Sequence, residues 1–121
     1  MNFKHAVSIT AAVLLVSAVS LAQAHAKLED SEPKAASQLS TAPREIRLQF
    51  NEALESAFTK IRLVGAGNAE IALSRQEVSK DNPKLITAVP PALAAGEYHV
   101  QWSAMAHDGH KTKGEFVFSV K

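Results

Sequence analysis

Two parts of this sequence carry side chains of the kinds that bind metal ions. One is the segment 106–110 (AHDGH), and the other is His25. Asp108 and His110 are two residues apart, so in an extended chain their side chains share a face about 6–7 Å apart, within reach of one ion. Two alternatives stay open: Asp108-Gly109 also fits a tight hairpin turn, and His110 also fits an ordinary exposed position.

His25 gains a second donor atom if the segment before it is removed. Residues 1–24 read as a secretory signal peptide, with Lys4 near the start, an uncharged run up to Ala22, and the small-x-small exit that ends at Ala24. That run is shorter than the roughly 20 apolar residues of a membrane span. Cleavage leaves a mature domain, 25–121, that begins at His25 and is not embedded in a membrane. Chance placement of His25 there is the alternative.

An N-terminal histidine can bind one metal through its α-amine and its imidazole Nδ1 in a single chelate ring. With the imidazole of His110 and the carboxylate of Asp108, the donor set becomes three nitrogens and one oxygen. Such a set suits tetragonal Cu(II), with Ni(II) or Zn(II) as competitors. The sequence does not itself show that His25 lies near residue 108.

The composition excludes several other kinds of site. The 121 residues include no cysteine, which excludes disulfides, a thiol nucleophile, a cysteine zinc site and a blue-copper centre. Removing residues 1–24 takes one lysine from the 13 basic side chains and leaves 12 to balance 12 acidic ones. A neutral domain argues against nucleic-acid binding. An exported domain without cysteine suits a bacterial periplasm.

The remaining histidines are weaker candidates. His99 and His107 are eight residues apart, or about 26 Å along a strand, so they cannot share one site. His99 is predicted to be a solvated surface residue. His107 adjoins the candidate site, but in a regular strand it points away from Asp108 and His110. It becomes an extra ligand only if a bulge reverses it.

Alternating apolar and polar residues predict the elements that position these side chains. The clearest strands are predicted at 46–50, 98–106 and 116–120, and weaker ones at 60–64, 70–73 and 85–88. Tyr98 and Trp102 fall on an apolar face and are predicted to be core. Proline and glycine turns separate the runs, and residues 52–58 allow one helical turn. The pattern predicts an all-β domain, a Greek-key barrel or sandwich of about seven strands, immunoglobulin-like or cupredoxin-like.

The mature chain resembles CopC-type periplasmic copper-binding (copper resistance) proteins over nearly its whole length. The resemblance is carried by HAKL at 25–28, SEP at 31–33, IRLQFNE at 46–52, DNPK at 81–84, LAAGEYHVQW at 93–102, DGH at 108–110 and GEFVFSV at 114–120. It implies a Greek-key β-barrel with one Cu(II) ion bound by His25, Asp108 and His110. It also implies that Glu52 stands beside the copper as an outer partner, where the residue alone would suggest only an exposed turn. An inner-membrane copper transporter of CopD type is the implied partner.

The sequence departs from some family members in one stretch. Those members carry a methionine-rich loop for Cu(I), whereas residues 64–74 here contain neither methionine nor histidine. Because Cu(I) prefers soft thioether ligands, we expect no Cu(I) site. The leading hypothesis is a non-enzymatic protein for copper sequestration, resistance or delivery. The alternatives are a copper-dependent oxidative enzyme with an N-terminal histidine site and a metal-free β-sandwich interaction module.

Overall fold

A computed structural model describes residues 26–121 as two β-sheets that enclose a common core. The strands are β1 (Leu28–Glu32), β2 (Gln38–Leu39), β3 (Ile46–Phe50), β4 (Lys60–Val64), β5 (Glu70–Ile71), β6 (Ser74–Val78), β7 (Leu85–Val89), β8 (Gly96–Met105) and β9 (Lys111–Val120). One sheet has the order β1-β3-β7-β6 and the other β2-β9-β8-β4-β5. Seven of these strands have five residues or more, so the prediction of an all-β sandwich of about seven strands is confirmed. The predicted signal peptide and His25 lie outside the described residues.

The strongest sequence patterns mark the central strands. In β3, Ile46, Leu48 and Phe50 are fully buried while Arg47 is exposed, which is the alternation of a half-buried strand. Strands β8 and β9 form one long antiparallel hairpin with an unbroken register from Gly96↔Val120 to Met105↔Lys111. The loop of that hairpin is the segment that carries Asp108 and His110.

The edge strands and the start of β9 are where the sequence prediction was incomplete. Strand β9 begins at Lys111, five residues before the predicted start, and β1, β2 and β6 were not predicted. Both β1 and β6 lie at the edges of their sheet and contain register shifts. Edge strands face solvent on more sides and bulges break the alternation, so their sequences carry little period-two signal.

Aromatic side chains fill the space between the sheets. The Trp102 ring meets Phe50 edge-on with centroids 5.1 Å apart, and Tyr98 stacks on Phe118 at 5.5 Å. Tyr98 is buried, which confirms that it is a core residue, whereas Trp102 is partly buried and packs against the core. Opposite Trp102 on β9 stands Gly114, where a Cβ atom would overlap the indole ring. The glycine is therefore required by the close approach of the ring to the β9 backbone.

Helical structure in residues 26–121 is limited to two three-residue 3₁₀ turns, Ser56–Phe58 and Ala66–Asn68. The first is the single turn that the segment 52–58 predicted. Neither piece, nor anything else in the described chain, forms a helix with the length and apolar character needed to cross a membrane.

Candidate metal centre

The loop between β8 and β9 is closed by backbone hydrogen bonds to Ala106. The Gly109 N–H donates to the Ala106 carbonyl at 2.9 Å, and the Ala106 N–H donates to the His110 carbonyl at 3.1 Å. Gly109 has a φ of 88°, a left-handed conformation that glycine adopts without the steric cost of a Cβ atom. The tight turn that the Asp-Gly pair suggested is therefore present, and it exists together with the candidate metal-binding residues.

Within this turn, the side chains of Asp108 and His110 are in direct contact. Oδ1 of Asp108 accepts the His110 backbone N–H at 3.0 Å, and Oδ2 lies 2.9 Å from His110 Nδ1. The two side chains meet, as predicted, but across a turn rather than along one face of an extended strand. Both are substantially exposed, at 41% and 56% of their side-chain surface, so an ion can approach them from solvent.

The contact between the carboxylate and the imidazole has a chemical consequence. A histidine whose Nδ1–H donates to a carboxylate keeps Nε2 as the lone-pair nitrogen, and the contact also fixes the orientation of the ring. Metal-binding histidines are commonly held in this way. Asp108 can therefore act on a metal through His110, or bind it directly through a carboxylate oxygen.

His107 has a different neighbour. Its Nε2 lies 3.8 Å from Oε1 of Glu55, and its side chain is 61% exposed. Within residues 26–121, no group of three or more histidine, cysteine, aspartate or glutamate side chains is placed to hold a metal ion. Neither His107 nor Glu52 thus completes a three-residue centre with Asp108 and His110 in the described chain. Their roles as extra ligand and outer partner stay predictions.

The segment that carries Glu52 nevertheless runs beside the loop. Leu54 forms an isolated antiparallel bridge with Ala106, and the Glu55 N–H donates to the Met105 carbonyl at 2.8 Å. Glu52 is half-buried and lies two residues before this bridge, so its segment runs beside the start of the loop.

Two residues that the sequence prediction missed hold the start of the described chain. The Thr112 hydroxyl donates to the carbonyl of Ala26 at 2.8 Å, and Ala26 is only 1% exposed. The Lys27 N–H donates to Oδ1 of Asn51 at 2.7 Å, and the Asn51 N–H donates to the Lys27 carbonyl at 3.0 Å. Ala26, the residue that follows His25, is therefore hydrogen-bonded to Thr112, which lies two residues after His110.

A sequence signal for Thr112 did exist. Counting back from Phe116 and Phe118 in steps of two reaches Thr112, a polar residue on the inward-facing side of β9. A polar side chain at such a position needs a hydrogen-bond partner. The signal was lost because the predicted strand began only at Phe116.

His99 lies on the outer face of β8, away from the loop. Its Nδ1 lies 2.5 Å from Glu115 and its Nε2 lies 3.3 Å from Glu97. Because the two carboxylates approach opposite sides of the ring, they cannot converge with one nitrogen on a single ion. His99 thus contacts two surface carboxylates and lies outside the candidate metal site.

The family model for the CopC domain matches residues 28–121. Protein YobA of Escherichia coli K12 is 38% identical over 99 residues, covering 81% of this chain and 80% of that protein. Copper resistance protein C of Pseudomonas syringae pv. tomato is 37% identical over 121 residues, covering 95% of this chain and 94% of that protein. Copper transport protein CutJ of Bacillus subtilis is 31% identical over 98 residues, but the match covers only 18% of its length.

A solved structure has the same fold. The crystal structure of PcoC, described as a methionine-rich copper resistance protein of Escherichia coli, superimposes with a TM-score of 0.72 at 33% identity. The superposition covers 81% of this chain and all of that one.

Proposed function

Because the chain belongs to the CopC family of copper resistance proteins, we propose that its exported form binds one Cu(II) ion through His25, Asp108 and His110. The α-amine and imidazole of His25 would supply two donors and His110 the third nitrogen. Asp108 would supply an oxygen. We further propose that export removes residues 1–24 and that the protein works in the periplasm.

One observation carries this proposal: the Thr112 hydroxyl binds the carbonyl of Ala26, the residue directly after His25. Consecutive Cα atoms are about 3.8 Å apart. A chain that begins at His25 would therefore start one residue before Ala26, whose carbonyl is bound by Thr112. Thr112 in turn lies two residues after His110 in sequence. This supports convergence of the new N-terminus with the Asp108–His110 pair, which the sequence left open.

The donor chemistry supports Cu(II) over Cu(I). The described pair offers an imidazole nitrogen and a carboxylate oxygen, which suit Cu(II). PcoC is described as methionine-rich, whereas this chain has one methionine beyond position 24, Met105. Met105 is half-buried in β8, which leaves no group of thioethers that could form a Cu(I) site. We propose a single Cu(II) site and no Cu(I) site.

A role in resistance or delivery follows from the relatives. Copper resistance is named for the Pseudomonas syringae protein, and copper transport for CutJ, a longer protein that contains a segment similar to this chain. These names support a protein that handles copper. Our proposal goes further: the protein sequesters Cu(II) or passes it to a membrane copper transporter of CopD type. The same names favour a binding role over the oxidative-enzyme and metal-free alternatives.

The test compares Cu(II) binding by the exported protein with binding by a version that carries one extra alanine before His25. The extension turns the α-amine of His25 into an amide, which cannot supply the chelate. We expect a loss of affinity of about a hundredfold or more, and a change in the nitrogen couplings of the Cu(II) electron paramagnetic resonance spectrum. A version with one alanine added after Lys121 is the matched control and should bind like the exported protein.

Two results would contradict the proposal. Equal Cu(II) affinity of the N-terminally extended and exported proteins would remove His25 as a terminal chelate. Failure of the exported protein to bind one equivalent of Cu(II) would favour the metal-free module. Copper-dependent hydrogen peroxide formation in the presence of ascorbate, at a rate above that of free Cu(II), would instead favour the oxidative enzyme.

A further inference from the structure

We infer that the outer face of the second sheet, beside the loop that carries Asp108 and His110, docks an acidic segment of a partner protein. This surface, here called the lysine face, is defined by Phe58, Lys60, Lys111 and Lys113. The inference rests on the proposed function because it places the partner next to the copper site. It goes further by stating where that partner binds and what chemistry it presents.

Three like charges lie together on this face. Lys60 of β4 and Lys113 of β9 are both paired in register with Ser103 of β8, so they flank it on neighbouring strands. Strands in a sheet are about 4.8 Å apart, which puts the two lysine backbones about 10 Å from each other. Lys111 lies two residues before Lys113 and therefore projects from the same side of β9.

These lysines differ from the charged residues around them. Further along β4, Arg62 makes two hydrogen bonds with the carboxylate of Glu70, at 3.1 and 3.3 Å. On β9, Glu115 contacts His99. Within the described chain, Lys60, Lys111 and Lys113 have no carboxylate within 4.0 Å. Glu115 lies in the same groove and Glu70 acts on Lys60 from farther away, so the positive charge next to the copper loop is only partly offset. The net charge of the face is complementary to an acidic partner.

An exposed aromatic ring lies among these charges. Phe58 is 57% exposed and is the only large hydrophobic side chain that is exposed within residues 26–121. The ammonium group of Lys111 lies 5.6 Å from the centre of its ring, within cation–π range. Aromatic residues, phenylalanine among them, are enriched in protein interfaces relative to the rest of the surface, so an exposed ring beside the lysines favours a protein partner.

A concave surface continues from these residues. Lys60 and Lys113 line an open groove of about 500 Å³. Arg62, Gln101, Ser103 and one carboxylate, Glu115, also line it, so three basic side chains face one acidic one. An extended peptide can place carboxylates against the lysines and fill such a groove. A flat bilayer surface cannot fill it, and one aromatic side chain offers little to insert. The shape therefore favours a polypeptide over an anionic membrane.

The position gives the surface its functional meaning. Lys111 directly follows His110, and its strand partner Met105 ends β8. A polypeptide seated on the lysine face would hold its own copper-binding groups within a few residues of the Cu(II) site. Docking by charge also speeds encounter and depends on salt, which suits a transient transfer complex.

The test uses the exported protein and a fluorescently labelled glutamate-rich peptide with a central leucine, followed by fluorescence anisotropy at low ionic strength. The triple variant Lys60→Glu, Lys111→Glu and Lys113→Glu should weaken peptide binding at least tenfold. The matched control is Lys80→Glu, Lys84→Glu and Lys121→Glu, which makes the same change of charge at exposed lysines elsewhere. That control should bind within about twofold of the unchanged protein. Phe58→Ser should weaken binding severalfold without any change of charge.

The outcomes separate this inference from the proposed function. Equal losses in both triple variants, or no peptide binding by the exported protein, would overturn the docking surface. Binding to phosphatidylglycerol vesicles that requires the three lysines, without peptide binding, would overturn it in favour of a membrane. Cu(II) stoichiometry measured on the same samples tests the proposed function separately. Copper binding without peptide binding refutes only the docking surface, and peptide binding without copper binding refutes only the proposed function.

Discussion

The loop that carries Asp108 and His110 and the segment at Ala26, next to His25 in sequence, are held in place in opposite ways. The loop with Asp108 and His110 is maintained by hydrogen bonds among residues 106–110 and is exposed to solvent. Ala26 is buried, and its carbonyl accepts a hydrogen bond from Thr112, 86 residues away in sequence. One part is therefore a local motif, whereas the other depends on the whole sandwich. The difference indicates that a change in the sandwich should lower copper affinity through the segment at Ala26. A change in the loop should lower copper affinity through the ligands themselves.

The largest effect is expected from the local motif. Loss of a residue that only supports a metal ligand by hydrogen bonding lowers metal affinity by ~10–100-fold. We expect His110→Ala to lower Cu(II) affinity by more than this, because it removes a ligand. Its free energy of unfolding should stay close to that of the unchanged protein, since the side chain is 56% exposed. Competition titration with a chelator measures the first quantity and urea denaturation the second.

His99→Ala and His107→Ala are the matched comparisons for that experiment. His99→Ala should leave Cu(II) affinity unchanged within about twofold. A loss for His107→Ala as large as that for His110→Ala would show that His107 is a ligand. An unchanged affinity for His110→Ala would separate the loop from the site altogether.

The next effect comes from the long-range anchor. Thr112→Val keeps the shape of the side chain but removes the donor to the Ala26 carbonyl. Leaving a buried acceptor without its donor costs about 1–3 kcal/mol, so we expect a lower free energy of unfolding. We also expect Cu(II) affinity to fall about tenfold, because the chain start is no longer held beside the loop.

A conservative replacement distinguishes positioning from general destabilisation. Thr112→Ser retains the hydroxyl and should restore most of the copper affinity. Thr87→Val, at a half-buried position of β7, controls for loss of a threonine hydroxyl elsewhere in the sandwich. If Thr87→Val lowers copper affinity as much as Thr112→Val, the anchor has no specific role.

A smaller effect is expected at Glu52. If its carboxylate orients the amine or a water on the copper, Glu52→Gln should lower Cu(II) affinity up to about tenfold, the lower end of the range for outer partners. Glu55→Gln changes a carboxylate of the same segment, the one that lies near His107. Equal effects of the two variants on Cu(II) affinity would argue against a particular role for Glu52.

The smallest effect on Cu(II) affinity is expected at a local ion pair elsewhere on the surface, Asp30 with Lys34. The hydrogen bond and charge of Lys34 hold the pKa of Asp30 below its ordinary value of 3.8. A lowered folded-state pKa adds stability above pH 3.8, and that stability is lost as the pH falls through the folded-state value. Lys34→Gln should raise the pKa of Asp30 toward 3.8 in a nuclear magnetic resonance titration. Cu(II) affinity should not change, because this exposed ion pair is not part of the proposed copper site.

Both the fold class and the local half of the site could be predicted from sequence. Period-two alternation in 46–50 and 98–106 reports burial on one face only, and those segments are the central strands β3 and β8. The same method failed at β1 and β6, which are edge strands with register shifts. It also failed at 111–115, because Thr112 and Gly114 occupy inward-facing positions where apolar residues are expected. Thr112 is there to bind Ala26, and Gly114 makes room for Trp102.

The sequence alone determined which kinds of atom can bind a metal ion. A chain without cysteine, with methionine only at positions 1 and 105, can offer a metal little besides nitrogen and oxygen, and Asp-Gly-His forms its own turn through bonds among neighbours. Which distant residues meet was decided by the tertiary structure. Sheet register brings Thr112 to Ala26, Asn51 to Lys27, and three lysines to one face. Such meetings depend on pairings far apart in sequence, and local periodicity contains no information about which strand lies beside which.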